Sequence, residues 1–384
     1  MVNRKIRMGM VGGGPGSFIG IVHFNAAILD GQIELVCGAF SSSPEKSEIT
    51  GKQYYLDPER VYDSYQEMFE REKELPQDKR MDMVCIVTPN HLHYEPAIMA
   101  LENGFHVVCD KPLTLNTQEA RELVKMVEES GLFFAVTHAY TGYPMVKEAR
   151  NLIEQNALGE IRKVVVEYPQ GWLTLPLERE DNMQAVWRAD PKRSGKAGAM
   201  ADIGTHALNL AEYISGLSVT QVCADLSRVV EGRILDDDGN VLIRFDNGAR
   251  GLLFASQISA GEENDLNIKI YGEKGGMEWH QMDPNKLIIK WLMKPDEIRR
   301  AGNDYLSEIA AYNTRLPFGH PEGLIEAFAN IYRNVATCIQ HYLDNTIPPA
   351  EANDFPDVYD GLRGMQFIDA VVASNESDRK WTDF

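Results

Sequence analysis

Ile6-Arg-Met-Gly-Met-Val11, running on into Gly12-Gly13-Gly14-Pro15-Gly16-Ser17-Phe18-Ile19-Gly20, decides the fold of this 384-residue chain. A short apolar strand enters a glycine-rich turn, and residues 21–29 read as a helix. Strand, glycine turn and helix is the order in which a dinucleotide pyrophosphate is bound. The glycines let the backbone approach the phosphates, and the helix N-terminus offers N–H groups and a partial positive charge. The spacing departs from G-x-G-x-x-G. With Gly12 and Gly14 as the first two glycines, the third is displaced or is Gly20, after a short insertion.

Strand–helix alternation continues outward from this turn. Strands are predicted at 33–40, 60–62, 82–88, 106–110 and 133–138, with helices at 44–54, 64–74, 96–103 and 117–130. Near-continuous apolar strands between amphipathic helices mean a parallel sheet covered on both faces. Ligands bind at the carboxyl ends of such strands, and Gly12, Thr88-Pro89-Asn90 and Lys111 all fall there. The candidate cofactor contacts are Gly12, Gly14, Pro15, Gly16, Ser17, Phe18 and Ile19 in the turn and Ser41 and Ser42 after the second strand. Thr88, Pro89, Asn90, His93, Asp110 and Lys111 at the later strand ends complete the set.

The pattern changes after about residue 140, so a Rossmann dinucleotide-binding domain is expected at 1–139 and an α+β domain at 140–384. A helix at 143–155 and a β-branched strand at 161–168 precede an irregular stretch at 172–187, long enough to be a functional loop. Strands follow at 219–230, 240–245, 249–257, 267–271, 277–280 and 286–291, with Asp246-Asn247-Gly248 as a hairpin turn. Helices at 322–342 and 355–374 close a domain whose sheet is mostly antiparallel. Between these elements, Asp202-Ile-Gly-Thr-His206 lies in a helical pattern, where positions i and i+4 share one face. Lys111 closes the apolar strand His106-Val-Val-Cys-Asp110, which Pro112 ends sharply. A lysine, an aspartate and a histidine are the parts needed to move a proton beside a bound substrate.

Composition narrows the partners. A net charge of −19 and a pI near 4.9 argue against nucleic acid or an anionic membrane surface, which need basic patches. No stretch reaches the ~20 apolar residues of a membrane helix. Met1-Val-Asn-Arg-Lys leads straight into the first strand, so no signal peptide is expected. Cys37, Cys85, Cys109, Cys223 and Cys338 are unclustered and read as reduced core residues of a cytoplasmic protein. Cys109 beside Asp110-Lys111 has no evident base, so packing is its reading. His91-Leu-His93 has metal-ligand spacing on a strand, but Pro89-Asn90 and Pro96 make the segment a turn, and no metal is expected.

Gly12-Gly-Gly14, Thr88-Pro-Asn-His-Leu-His93, Asp110-Lys-Pro112 and Trp187-Arg188 with Asp202-Ile-Gly-Thr-His206 together resemble the Gfo/Idh/MocA oxidoreductases. The resemblance runs in order from about residue 5 to residue 345. It implies a Rossmann domain, a C-terminal domain whose open sheet builds homodimers or homotetramers, a nicotinamide cofactor and a sugar, inositol or related polyol as substrate. It also implies that Lys111, Asp202 and His206 line the substrate pocket as the catalytic set. Two departures stand out: Asp-Lys-Pro replaces the usual Glu-Lys-Pro, and the glycine turn carries an insertion. The family also holds inositol dehydrogenases and glycosidases that use bound NAD, and a non-catalytic NAD(H) sensor is a further alternative.

The reaction expected is hydride transfer between nicotinamide and a secondary carbinol, with C3 of a neutral pyranose or glycoside as the specific expectation. His206 would take the hydroxyl proton near neutral pH and Lys111 would stabilise the oxygen, although these roles could be exchanged. Asp202 would orient the substrate or His206. Tyr140, Tyr143, Trp172, Arg188 and His320 are further candidate substrate contacts. After the second strand, Ser41-Ser42-Ser43 could bond NAD(H) or NADP(H). With Lys46 as the only nearby cation and no arginine for a 2′-phosphate, NAD(H) is the expected cofactor.

Overall fold

The computed structural model describes residues 4–180 and 182–384; Met1-Val-Asn, on which the leader expectation partly rests, and Asp181 lie outside the described residues. By contacts the chain divides into two units. One runs to Ala139 and takes in Leu324–Leu362; the other is Tyr140–Gly323 with Arg363–Phe384. The sequence reading groups everything after 139, whereas the contacts return a C-terminal segment to the first unit.

The first unit is built on five strands: β1 (Ile6–Gly12), β2 (Ile33–Ala39), β3 (Met83–Val87), β4 (His106–Cys109) and β5 (Phe134–Val136). All pair in parallel, in the order β2-β1-β3-β4-β5. Every residue of β3, β4 and β5 is buried, as expected for a sheet covered on both faces. The strand order reverses between β1 and β3, and Gly12 pairs with Val87 there. That reversal is the crevice where doubly wound sheets bind ligands. Helix Leu324–Leu343 lays Phe328, Ile331, Tyr332 and Val335 into the same apolar cluster as Val22 and Ala26 of helix Phe18–Ile28. An amphipathic helix carries no record of which surface will cover its apolar face, so periodicity alone cannot assign this one. Truncating Phe328 to alanine there would cost about 3–5 kcal/mol.

The second unit carries β6 (Ile161–Pro169), β7 (Val219–Ser227), β8 (Asp238–Phe245), β9 (Arg250–Ser256), β10 (Asn267–Gly272), β11 (Gly275–His280), β12 (Lys286–Trp291), β13 (Glu297–Arg300) and β14 (Thr382–Asp383). They form one sheet in the order β13-β12-β11-β10-β6-β9-β8-β7-β14. Pairing is antiparallel except for the central β6–β9 pair, which is parallel. Helices Pro144–Glu154 and Thr205–Ser215 pack on this sheet. The expected hairpin joins β8 to β9, with Gly248 at φ +89°. Along β8 buried residues alternate with more exposed ones, which leaves Leu242 with Tyr271 and Ile298 among the exposed apolar side chains of the sheet.

Four local expectations change. Residues 60–62 make a 3₁₀ turn, Pro58–Arg60, and a single bridge from Gly38 to Val61. The strand predicted at 219–230 ends at Ser227. Met183–Arg188 inside the irregular stretch is helical. The regular helix expected through Asp202 and His206 is a π turn over Met200–Gly204, followed by the α-helix Thr205–Ser215. The simple i, i+4 face therefore does not apply to this pair.

Candidate active site

In the first unit the candidate cofactor surface is made by backbone. Gly12, Gly13 and Gly16 have φ of +87°, +79° and +85°, conformations that side chains rarely adopt. A Cβ on Gly14 would lie 2.8 Å from the Phe40 carbonyl oxygen, and one on Gly12 would lie 3.0 Å from Thr88 N. A Cβ on Gly20 would come within 2.6 Å of Gly13 Cα. Gly20 thus supplies the close helix-to-turn packing that the third glycine of the fingerprint provides. Ser17 caps the helix, its Oγ accepting from Gly20 N at 3.2 Å. The amides of Phe18 and Ile19 are left for an anionic group. A dinucleotide pyrophosphate fits this cradle: the turn is open at Gly16, where a Cβ would meet nothing within 4 Å, and Pro15 and Phe18 are exposed.

The remaining cofactor candidates line the neighbouring strand ends. Ser41 Oγ accepts from Ser43 N at 3.2 Å, Ser42 is exposed, and Ser43 caps helix Pro44–Gln53. Thr88 Oγ1 donates to the Leu92 carbonyl at 2.9 Å, closing the Pro89-Asn90 turn. His93 is fully buried, with Nδ1 at 2.8 Å from the Pro112 carbonyl and Nε2 at 2.8 Å from the Thr88 carbonyl. It ties two strand-end loops together. Lys111 is half-buried, donates its backbone N–H to Asp110 Oδ1 at 2.9 Å, and joins Pro112 through a cis peptide bond. Burial, reinforced by the Lys111 charge, pushes His138 down to about 3, so a neutral imidazole neighbours this lysine. Burial pushes the Cys109 thiol well up, which fits a packing role.

In the second unit the candidate substrate residues are side chains that hold one another. Asp202 Oδ2 accepts from Arg188 Nε at 3.1 Å and from Gln257 Nε2 at 2.8 Å. The Arg188 guanidinium lies over Trp187 at 4.2 Å and over Trp172 at 5.7 Å, and it donates to Gln184 Oε1. Asp236 anchors the segment entering the π turn by accepting from Gly198 N at 2.6 Å and Met200 N at 2.8 Å. A few residues on, the buried His206 ring meets Tyr140 edge-on at 5.0 Å. The Tyr140 and Tyr168 hydroxyls are hydrogen-bonded to each other. Asn264 donates to Tyr140 Oη at 3.1 Å and accepts from Tyr168 Oη at 2.9 Å. Gln170 donates to the same Asn264 oxygen and accepts from Trp172 Nε1 at 3.1 Å.

The structure therefore gathers Arg188, Trp172 and Asp202 in one polar group, and His206 with Tyr140 in another. Tyr143 is buried against Trp279 at 5.4 Å as a core residue, and His320 lies in an exposed loop. Tyr168, Gln170, Gln257 and Asn264 are polar partners that sequence reading missed. Tyr168 and Gln170 stand at the end of β6 and Gln257 just beyond β9, so the parallel β6–β9 pairing brings them to one edge. Nothing in either strand's own pattern announces that pairing. Among the described residues, no cluster of three His, Cys, Asp or Glu could hold a metal ion, and no helix is long and apolar enough to cross a membrane.

Residues 6–138 match the oxidoreductase family with an NAD-binding Rossmann fold, and residues 146–278 match the Gfo/Idh/MocA C-terminal domain. The chain is 44% identical to an oxidoreductase from Sinorhizobium meliloti of known structure, covering 98% of this chain and 99% of that one, with a TM-score of 0.87. It is 31% identical to an inositol dehydrogenase homolog from Azotobacter vinelandii, solved with NADH and myo-inositol, covering 100% and 98% at a TM-score of 0.91. Levoglucosan dehydrogenase of Pseudarthrobacter phenanthrenivorans is 28% identical over 330 residues, 80% of each chain. The chain belongs to the Gfo/Idh/MocA oxidoreductases, with the family's NAD-binding Rossmann domain followed by its C-terminal domain.

Proposed function

We propose that the protein is an NAD(H)-dependent dehydrogenase of neutral ring polyols, acting on a secondary hydroxyl, with C3 of a pyranose or glycoside as the preferred position. The observation that carries this reading is the commitment of Arg188. Its Nε and Nη1 donate to Asp202 and Gln184, its face lies on the Trp187 ring and its charge is paired with Asp202, which disfavours a phosphate or carboxylate beside it. Gln257 beside Asp202, and Asn264, Tyr140 and Tyr168 in the group with His206, are uncharged donors and acceptors suited to hydroxyl groups. Levoglucosan and myo-inositol, named for two relatives, are both neutral ring polyols.

Bound NAD+ would accept the hydride; the protein's residues handle the proton and the oxygen. His206 takes the hydroxyl proton, its ring oriented by Tyr140. Lys111 hydrogen-bonds the same oxygen and stabilises its developing charge. Asp202, fixed by Arg188 and Gln257, orients the substrate through a neighbouring hydroxyl. The family pattern is what joins Lys111 to the other two. Ser41 and Ser42 can bond either ribose, and the lack of an arginine after the second strand favours NAD(H) over NADP(H). The exposed Leu242, Tyr271 and Ile298 suit the open sheet to a homo-oligomer, and the free cysteines suit a cytoplasmic setting.

A cyclitol is the second reading, favoured by the likeness to the Azotobacter protein across the whole chain. The test is a panel of neutral pyranosides, inositols and sugar phosphates, followed by nicotinamide reduction, with the keto carbon located by NMR. Oxidation of a neutral pyranoside at C3 is expected. Preferential oxidation of an inositol would install the second reading, and preference for a phosphorylated sugar would overturn both.

A further inference from the structure

Beneath the strand end that carries Lys111 lies a buried polar cluster with no part in the reaction as described so far. His23, Cys85 and Tyr332 are fully buried and come from helix Phe18–Ile28, β3 and helix Leu324–Leu343. His23 Nδ1 lies 2.7 Å from Tyr332 Oη. Cys85 Sγ lies 2.8 Å from that hydroxyl and 3.4 Å from Nδ1. Phe328 meets the imidazole edge-on at 5.2 Å. The other ring nitrogen, Nε2, is buried without a hydrogen-bond partner among the described residues and lies 3.8 Å from Asp110 Oδ1. That oxygen accepts the backbone N–H of Lys111 and the Thr137 hydroxyl, each at 2.9 Å.

Electrostatics decide where the ring proton sits. A bare Nε2 lone pair facing a buried carboxylate would be repelled, whereas Nε2–H is attracted. Nδ1 then accepts from the Tyr332 hydroxyl if the ring is neutral, or donates to it if the ring is charged. Nε2 carries a proton in both cases. Burial disfavours the charged ring, but Cys85 and Asp110 outweigh it and push His23 up to about 10. Burial likewise opposes ionisation of Asp110, yet His23, Lys111 and His93 hold its carboxyl well below the usual carboxylate range. The other titratable neighbours are Cys109 and Tyr332, both pushed up by burial, and His138, pushed down by it.

We propose that His23 is a positioning residue for the reaction: its Nε2–H, aimed by Tyr332 and Cys85, holds the Asp110 carboxylate ionised and in place against the backbone of Lys111. The inference rests on Lys111 acting at the substrate oxygen, so its test needs one arm that does not depend on turnover.

That arm is NMR of the full-length protein labelled with ¹⁵N-histidine. The His23 signal, assigned by its loss in His23→Gln, is expected to show a protonated Nε2 from about pH 6 to about pH 9 and to shift in Asp110→Asn. An unprotonated Nε2, or a signal indifferent to Asp110→Asn, overturns the proposal. The second arm uses Tyr332→Phe, which keeps the packing and removes the hydroxyl. The kcat is expected to fall about tenfold, with the acidic limb of its pH profile moved upward and the NADH Kd unchanged within a few-fold. A Tyr332→Phe profile superimposable on that of the unaltered protein overturns it. Absence of turnover in the unaltered protein on every polyol tried would count against the functional reading, and the NMR arm would still decide the role of His23.

Discussion

The glycine turn of the first unit and the polar side chains of the second are built in opposite ways. At Gly12 to Gly20 the backbone itself is the candidate ligand surface, and side chains are excluded because there is no room for a Cβ at Gly12, Gly14 or Gly20. At Asp202 and His206 the backbone only delivers side chains, and each of those is held by another: Asp202 by Arg188 and Gln257, Tyr140 by Tyr168 and Asn264. The first surface suits a diphosphate common to every turnover. The second is made of replaceable parts, which suits it to choosing among polyols.

Substitutions sharpen this contrast in order of expected effect. Gly14→Val places methyl groups against the Phe40 carbonyl and into the phosphate approach, so NADH affinity measured by fluorescence titration should fall at least ~100-fold. Affinity within a few-fold of normal would mean that the dinucleotide does not use this turn. His206→Asn removes the proposed base while keeping a polar side chain of roughly similar reach, and kcat should fall ~10- to 100-fold while NADH binding is spared. A kcat unchanged at neutral pH would hand the proton to Lys111.

Legibility follows the same division. The glycine turn could be read from sequence because one contiguous segment carries its geometry, and only the place of the third glycine awaited the packing of Gly20 on Gly13. Lys111 was legible as the end of a buried strand. Asp202 and His206 were legible as a motif but not in their helical form, because a π turn over Met200–Gly204 has no periodic signature in five residues. Gln257 and Asn264 were not legible at all: the parallel β6–β9 pair brings Gln257 to the end of β6, and the antiparallel β10–β6 pair brings Asn264 there. For the same reason helix Leu324–Leu343 shows its apolar face in sequence without naming the first unit as its partner.

Smaller effects probe the replaceable parts. Gln257→Leu removes one of the two donors on Asp202 Oδ2, and the substrate KM should rise about tenfold with NADH affinity unchanged. An unaltered KM would make that hydrogen bond structural only. Smallest is Ser41→Asp: a carboxylate beside the ribose should weaken NADP(H) by a few-fold to tenfold through repulsion of its 2′-phosphate and spare NAD(H). Equal cofactor preference before and after the change would place the ribose elsewhere.

The division of labour itself, backbone for the cofactor and side chains for the chemistry, is tested most directly at Lys111, which stands at a strand end in the first unit but is assigned to the substrate. Lys111→Met keeps the alkyl chain and removes the amine. Equilibrium titration of NADH alongside turnover with the best polyol should give a kcat reduced at least ~100-fold and a Kd within a few-fold of the unaltered protein. Loss of NADH binding in step with activity would contradict the account, because Lys111 would then belong to the cofactor surface.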